Sequence, residues 1–241
     1  VKDGIMPGYF GYEAGQSCVG DHFAWFVENC VPESYEQEAR VRGISIHQLL
    51  SEKLSSYKAG ASGLLALDWF TGVRTPLMDF NLNGLIMGMN LLTKPEEIYL
   101  SLIEATAYGT RMIIEGFEEA GLEVKDITLS GGIPIKNEML VQVYSDVCNR
   151  KIKVVDSTQS SALGAAILGA AAAPERITGF KNANEAAKKL GKVKDKVWEP
   201  NQDNVEIYNE LYEEYKTLHT YFGTGINDVM KHLNNIRERR K

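Results

Sequence analysis

Asp126-Ile127-Thr128-Leu129-Ser130-Gly131-Gly132-Ile133-Pro134-Ile135-Lys136-Asn137 sets the class of fold for this chain. Asp126 to Leu129 has the apolar, β-favouring composition of a short strand, Ser130 to Pro134 reads as its turn, and Asn137 to Asn149 as a helix. Ile152-Lys153-Val154-Val155 follows as a second strand, then Ser157-Thr158-Gln159-Ser160-Ser161 as a polar turn and Ala162 to Ala173 as a second helix. Strands alternating with helices through short crossovers define an α/β arrangement. The second helix is small on every face, with Ala162, Gly164, Ala165, Ala166, Gly169 and Ala170. Glycine inside a helix costs about 1 kcal/mol relative to alanine. Its presence predicts close approach of the backbone to a neighbouring helix or to a bound nucleotide.

The Gly131-Gly132 pair carries the first hint of chemistry. Without Cβ atoms in the way, a turn between strand and helix offers its backbone N–H groups to a phosphate or a flat purine. The same pair also reads as a turn and nothing more. No GxGxxG follows a strand, Gly223-Thr224-Gly225 lies beyond a long helix without a third glycine, and no Walker A sequence is present. Dinucleotide-fingerprint and P-loop logic are therefore excluded.

Upstream, Thr93-Lys94-Pro95-Glu96 reads as a capping box with proline in the first turn. Ile98, Leu102, Ala105, Met112, Ile113 and Phe117 supply a buried stripe over about seven turns, and Gly121 stops the helix. Before it, Ser62 to Trp69 is a short apolar run with the pattern of a buried strand, followed by the turn Thr71-Gly72-Val73-Arg74-Thr75-Pro76. Gly84-Leu85-Ile86-Met87-Gly88-Met89 reads as another strand, although periodicity does not separate so short a run from buried helix. Pro7 to Ser17 is rich in glycine and aromatics, which suits tight turning and close backbone approach to a ligand.

Phe23, Phe26 and Val27 stand at helical spacing, and the polar segment from Pro32 to Tyr57 reads as one or two amphipathic helices with Leu49, Leu50 and Leu54 inward. That segment reads as peripheral packing. Residues 181 to 196 hold six lysines and read as a solvated helix and turn. Asp203-Asn204-Val205-Glu206 predicts a further helix start, with Ile207, Leu211, Tyr215, Leu218 and Phe222 as its packing stripe. Tyr208, Tyr212 and Tyr221 widen that stripe, to cover either the core or a subunit surface, so a homodimer stays open.

Composition narrows the function. Over 241 residues, 26 Lys plus Arg face 32 Asp plus Glu for a net charge of −6, which argues against a nucleic-acid partner. No apolar run approaches the ~18 residues of a membrane span. The start, Val1-Lys2-Asp3-Gly4, has neither an initiator methionine nor a signal-peptide pattern and reads as a cut. Cys18, Cys30 and Cys148 are odd in number, widely spaced and set among apolar residues, which suggests reduced thiols and a cytoplasmic setting. His22, His47, His219 and His232 are scattered, and no metal-ligand set is expected. The basic end from Arg237 to Lys241 matches the dipole of a helix C-terminus.

Three ordered motifs resemble one family. Gly84 to Met89, followed by Glu97-Ile98 and then Ser101, Ile103 and Glu104, resembles the second signature of the FGGY carbohydrate kinases. Leu102 departs from it, being bulkier than the small or branched residue usual there. Ser130-Gly131-Gly132 with Asn137, and Ser161-Ala162-Leu163-Gly164-Ala165-Ala166, are similar to the family's adenosine-binding turn and closing helix. The likeness runs to about Phe222. Within the family, Val1 to Gly8, Gly11 to Ser17, Val19-Gly20-Asp21 and Phe23 to Phe26 look most like the L-ribulose-phosphorylating branch, as do Asp68 to Gly72 and Arg74-Thr75-Pro76. Ala24 stands where glycerol kinases carry glutamine.

The resemblance implies an actin-like, ribonuclease-H-like ATPase domain: the C-terminal, nucleotide-side half of a two-domain sugar kinase, with added helices. It would comprise residues 1–222, with a helical insertion at 30–60, and a helical tail at 223–241. It implies ATP and Mg2+ as cofactors, L-ribulose or a related ketopentose as substrate, and a missing N-terminal domain as partner. The catalytic base and a Gly-Thr-Ser phosphate loop would lie upstream, so no catalytic residue is expected here and the isolated chain would be inactive. Gly131, Gly132, Lys136 and Asn137 match the family's adenine and ribose region, and Gly20 a glycine near the ATP phosphates. Asn137 also reads as a helix cap. Glu13 resembles a carboxylate directed at sugar hydroxyls, and also reads as a solvated loop residue. The implied alternatives are a kinase for another pentulose such as xylulose, and a non-catalytic nucleotide-binding module.

Overall fold

The computed structural model describes residues 1–240. One helix organises the rest. Helix α4 (Pro95–Glu119) is buried on every face from Tyr99 to Tyr108, as a helix through the middle of a core must be. Its cap falls one residue later than the sequence suggests. Lys94 is the N-cap, and its backbone N–H donates to Glu97 Oε2 at 2.7 Å, while Thr93 Oγ1 accepts from Asn90 N. Gly121, at φ +84°, ends the last turn and donates to the Glu118 carbonyl. Leu102, bulkier than the family pattern, is completely buried, and so is Ile103. The signature residues of this helix therefore build core.

Around α4 pack α1 (Gly20–Cys30), α3 (Ile46–Lys53), strand β1 (Leu65–Leu67), α6 (Glu138–Cys148) and α10 (Gln202–Gly223). β1 pairs antiparallel with β2 (Leu85–Met87), joining Leu65 to Met87 and Leu67 to Leu85. β3 (Ile127–Leu129) pairs parallel with β4 (Ile152–Val154), Ile127 opposite Ile152 and Leu129 opposite Val154. A parallel pair requires a crossover, and α6 is part of it, as expected from Asn137 onward. Asn137 caps α6, its side chain accepting from Leu140 N at 3.1 Å.

Three expectations need correction. The turn read over Ser130 to Pro134 is shorter, because α5 (Gly132–Lys136) begins inside it. Gly131 stands at φ +99°, ψ −177°, a conformation open essentially to glycine alone, and Pro134 is tolerated because it sits in a helical first turn. Helix α7 (Ser160–Ala172) buries no residue, and no atom lies within 4 Å of a Cβ built on Gly164 or Gly169. Among the described residues no neighbouring helix closes on those two glycines, and the other partner expected of them, a bound nucleotide, stays open.

The third correction concerns α10. It starts at Gln202, with Asn201 as cap accepting from Asp203 N, ahead of the predicted box. Its buried stripe is Val205, Tyr208, Tyr212, Tyr215 and His219, whereas Ile207 is exposed. Tyrosine wins the inner face because each hydroxyl finds a carboxylate: Tyr208 donates to Glu104 (3.1 Å), Tyr212 to Glu115 (2.7 Å) and Tyr215 to Asp68 (3.2 Å). Burial pushes Glu104 up to about 8 and Asp68 up to about 6, each opposed by its hydrogen bonds.

The helices read at 30–60 are α2 (Glu33–Arg42) and α3, with Leu49, Leu50 and Leu54 inward as expected. α8 (Glu175–Thr178) and α9 (Ala183–Leu190) follow α7. The tail contributes α11 (Val229–Glu238), which docks through buried Met230, a Lys231–Asp79 ion pair of 2.8 Å and Asn234 donating to the Asn81 carbonyl. Lys241, within the 223–241 tail, lies outside the described residues. All three cysteines are free. Cys18 and Cys148 are buried, whereas Cys30, expected among apolar residues, is exposed at the end of α1.

Candidate nucleotide site

Four separate stretches of chain meet around a cavity of about 610 Å³. α1 contributes Gly20, Phe23 and Ala24, and the start of α3 contributes Ser45, His47 and Gln48. Tyr99 comes from α4, and Gly132, Ile133, Lys136 and Asn137 from α5 and the cap of α6. The volume lies within the range of small-molecule sites, which combine an apolar body with a few placed polar groups.

The sequence assigned Gly20, Gly132, Lys136 and Asn137 to nucleotide contact, and all four line this one cavity. A Cβ built on Gly132 meets nothing within 4 Å, so its surface is open to a ligand. Gly131 is not in the wall; its positive φ instead turns the chain from β3 into α5. Lys136 is exposed at the rim and has no acidic partner among the described residues. α1 starts at Gly20 with no side-chain cap, which leaves first-turn N–H groups for an anion. No Asp or Glu lines the cavity, so its wall does not repel phosphate and offers no carboxylate to a metal ion.

Glu13 is elsewhere. Its carboxylate lies outside the cavity, where Arg74 Nη2 donates to Glu13 Oε1 at 2.7 Å, both side chains being substantially exposed. The loop carrying it is held to the turn at Arg74 to Pro76, for Thr75 N donates to the Gly15 carbonyl at 3.1 Å and Gly15 N to Thr75 Oγ1 at 3.2 Å. Gln16 anchors the same loop to the core, its Nε2 donating to Asp68 Oδ2 at 2.8 Å and to the Thr106 carbonyl at 2.9 Å.

Sequence reasoning missed Ser45, His47, Gln48 and Tyr99. The segment read as peripheral packing in fact supplies part of the cavity wall. Its amphipathic pattern announced only the buried leucines, and nothing local marked the opposite edge as facing a hollow. His47 Nδ1 lies 3.0 Å from the Tyr99 hydroxyl, and burial, with the Lys136 charge, holds its pKa below the ordinary histidine value.

Comparison with known proteins places this geometry. A ribulokinase from Bacillus licheniformis is 53% identical over 237 residues, covering 98% of this chain and 43% of that protein. A ribulokinase from Anoxybacillus flavithermus is 52% identical, covering 99% and 42%. The chain thus spans less than half the length of the curated relatives it matches. Among solved structures, a xylulose kinase from Rhodospirillum rubrum superposes with a TM-score of 0.66 at 21% identity over 85% of this chain and 38% of that one. A Plasmodium falciparum glycerol kinase solved with ADP gives a TM-score of 0.63 at 21% identity, covering 85% and 37%. Both support the actin-like kinase fold. Residues 1–173 match the description "FGGY family of carbohydrate kinases, C-terminal domain", a span that takes in the cavity and every glycine assigned to it, and the chain belongs to that family.

Proposed function

We propose that this chain is the nucleotide-side half of an ATP-dependent ketopentose kinase that converts L-ribulose to L-ribulose 5-phosphate. The convergence of Gly20, Gly132, Lys136 and Asn137 on one cavity carries the nucleotide part of this reading. Identity above 50% to ribulokinases supports the choice of sugar. Phosphoryl transfer depends mainly on positioning and charge stabilisation, and Mg2+-ATP would supply both the phosphoryl group and the metal that offsets phosphate charge. Within this chain, Gly132 accepts the flat face of the base, Asn137 and Lys136 lie toward the ribose, and the uncapped start of α1 at Gly20 faces phosphate. Glu13, oriented by Arg74, accepts hydrogen bonds from sugar hydroxyls.

The chain spans less than half the length of its ribulokinase relatives, and the family resemblance puts the group that takes the hydroxyl proton in the part that precedes it. We therefore assign the base to an N-terminal domain, which makes that domain the essential partner and this chain alone inactive. Residues 1–222 form the family domain in this reading, 30–60 its helical insertion and 223–241 an appended tail, in a cytoplasmic enzyme. No helix among the described residues is long and apolar enough to cross a membrane.

The test is ADP release from Mg2+-ATP over a panel of ketopentoses and glycerol. It is run on the polypeptide that joins this chain to the N-terminal part its relatives carry, with the 241-residue chain alongside. The expected result is fastest turnover with L-ribulose and none from the chain alone. Preference for xylulose would replace the substrate, nucleotide binding without sugar-dependent turnover would leave a binding module, and turnover by the chain alone would refute the placement of the base.

A further inference from the structure

The wall contributed by α3 carries the one imidazole of the cavity, and its hydrogen bonding fixes which ring nitrogen is left for a ligand. α3 is held firmly: Ser45 Oγ caps it by accepting from Gln48 N at 3.1 Å, and Leu49 and Leu50 are completely buried beneath it. His47 Nδ1 meets the hydroxyl of Tyr99, a residue only 2% exposed, at 3.0 Å. That nitrogen is the hydrogen-bond partner of the hydroxyl among the described residues, and a buried O–H left without an acceptor would be costly. Donation of that O–H to His47 Nδ1 satisfies it. A neutral imidazole with Nδ1 as acceptor carries its hydrogen on Nε2.

We propose that His47 is a nucleobase-recognition residue, presenting an Nε2–H donor to N1 of an adenine held against Gly132, with Tyr99 fixing that tautomer. The inference rests on the nucleotide reading of the cavity and adds to it a residue from the helical insertion. The insertion thereby closes the purine end of a cavity whose α1 side offers only Gly20, Phe23 and Ala24. None of those three side chains can donate a hydrogen bond. A donor aimed at N1 favours adenine, where that nitrogen is an acceptor, over guanine, where it is itself a donor.

The experiment is a 1H–15N NMR titration of the 241-residue chain with ADP, GDP and tripolyphosphate, which also reads millimolar affinities. It compares the unaltered chain with His47→Phe, His47→Gln, Tyr99→Phe and Gly132→Val. His47→Phe should weaken ADP by about tenfold, the equivalent of one hydrogen bond, and leave tripolyphosphate unchanged. His47→Gln, which keeps a donor, should stay within about threefold. Tyr99→Phe, which keeps the ring and frees the tautomer, should fall between them and reduce the preference for ADP over GDP. ADP affinity unchanged in His47→Phe, equal losses for ADP and tripolyphosphate, or equal losses in the Phe and Gln variants would each overturn the inference. If His47→Phe does not fold by circular dichroism, His47→Gln and Tyr99→Phe decide between the same outcomes. Absence of ADP binding by the unaltered chain, or its survival in Gly132→Val, would instead overturn the nucleotide site itself.

Discussion

Glu104→Gln asks what a carboxyl costs at the centre of α4. Glu104 is 2% exposed and accepts a hydrogen bond from the Tyr208 hydroxyl at 3.1 Å. Burial is the larger influence and lifts its pKa from 4.5 to about 8, against the lowering effect of Tyr208. In the unfolded chain the group ionises near its ordinary value, so over this interval unfolding releases a proton that the fold retains. Its contribution to stability is therefore fully present below about pH 4.5 and is lost as the pH rises to about 8. At about 1.4 kcal/mol per pH unit, the loss between pH 5 and pH 7.5 is about 3 kcal/mol. Glutamine has nearly the same shape, keeps an acceptor for Tyr208 and does not titrate.

Urea unfolding of both proteins at pH 5 and pH 7.5 measures the effect directly. The stability of Glu104→Gln relative to the unaltered chain should rise by about 3 kcal/mol between the two pH values. Asp68, which burial lifts to about 6, steepens the pH dependence of both proteins equally and cancels in the difference. Parallel pH profiles would refute the claim that the fold holds Glu104 protonated.

Leu102→Ala removes a side chain with no exposure from the middle of the core and should cost about 3 kcal/mol in the same urea assay. Asn137→Ala should cost about 1 kcal/mol through loss of the α6 cap, measured by urea unfolding. Arg74→Met releases the Glu13 carboxylate from its 2.7 Å partner. In the two-domain enzyme it should raise KM for the sugar and leave KM for ATP unchanged, and a change confined to ATP would place Glu13 in a different role.

What was legible in the sequence was local. The β3, α6 and β4 succession follows from short apolar runs set between turn residues and an asparagine cap. The glycine at 131 is forced by a backbone conformation that other residues do not reach, and a motif scan picks it out for that reason. Leu49, Leu50 and Leu54 announce the inner face of α3 by spacing alone. These features depend on a handful of neighbouring residues, so a single chain of letters determines them.

The rest was settled by partners far away in sequence. α10 offered an aliphatic and an aromatic stripe one residue apart, and only the placement of Glu104, Glu115 and Asp68 opposite it chose the tyrosines. The small residues of α7 promised a neighbouring helix or a bound nucleotide, and no helix among the described residues closes on Gly164 or Gly169. Glu13 meets Arg74 across 61 positions, and His47 meets Tyr99 across 52. Periodicity records which face of a helix is apolar, while the edge that lines a cavity depends on what the folded chain carries to the other side of it.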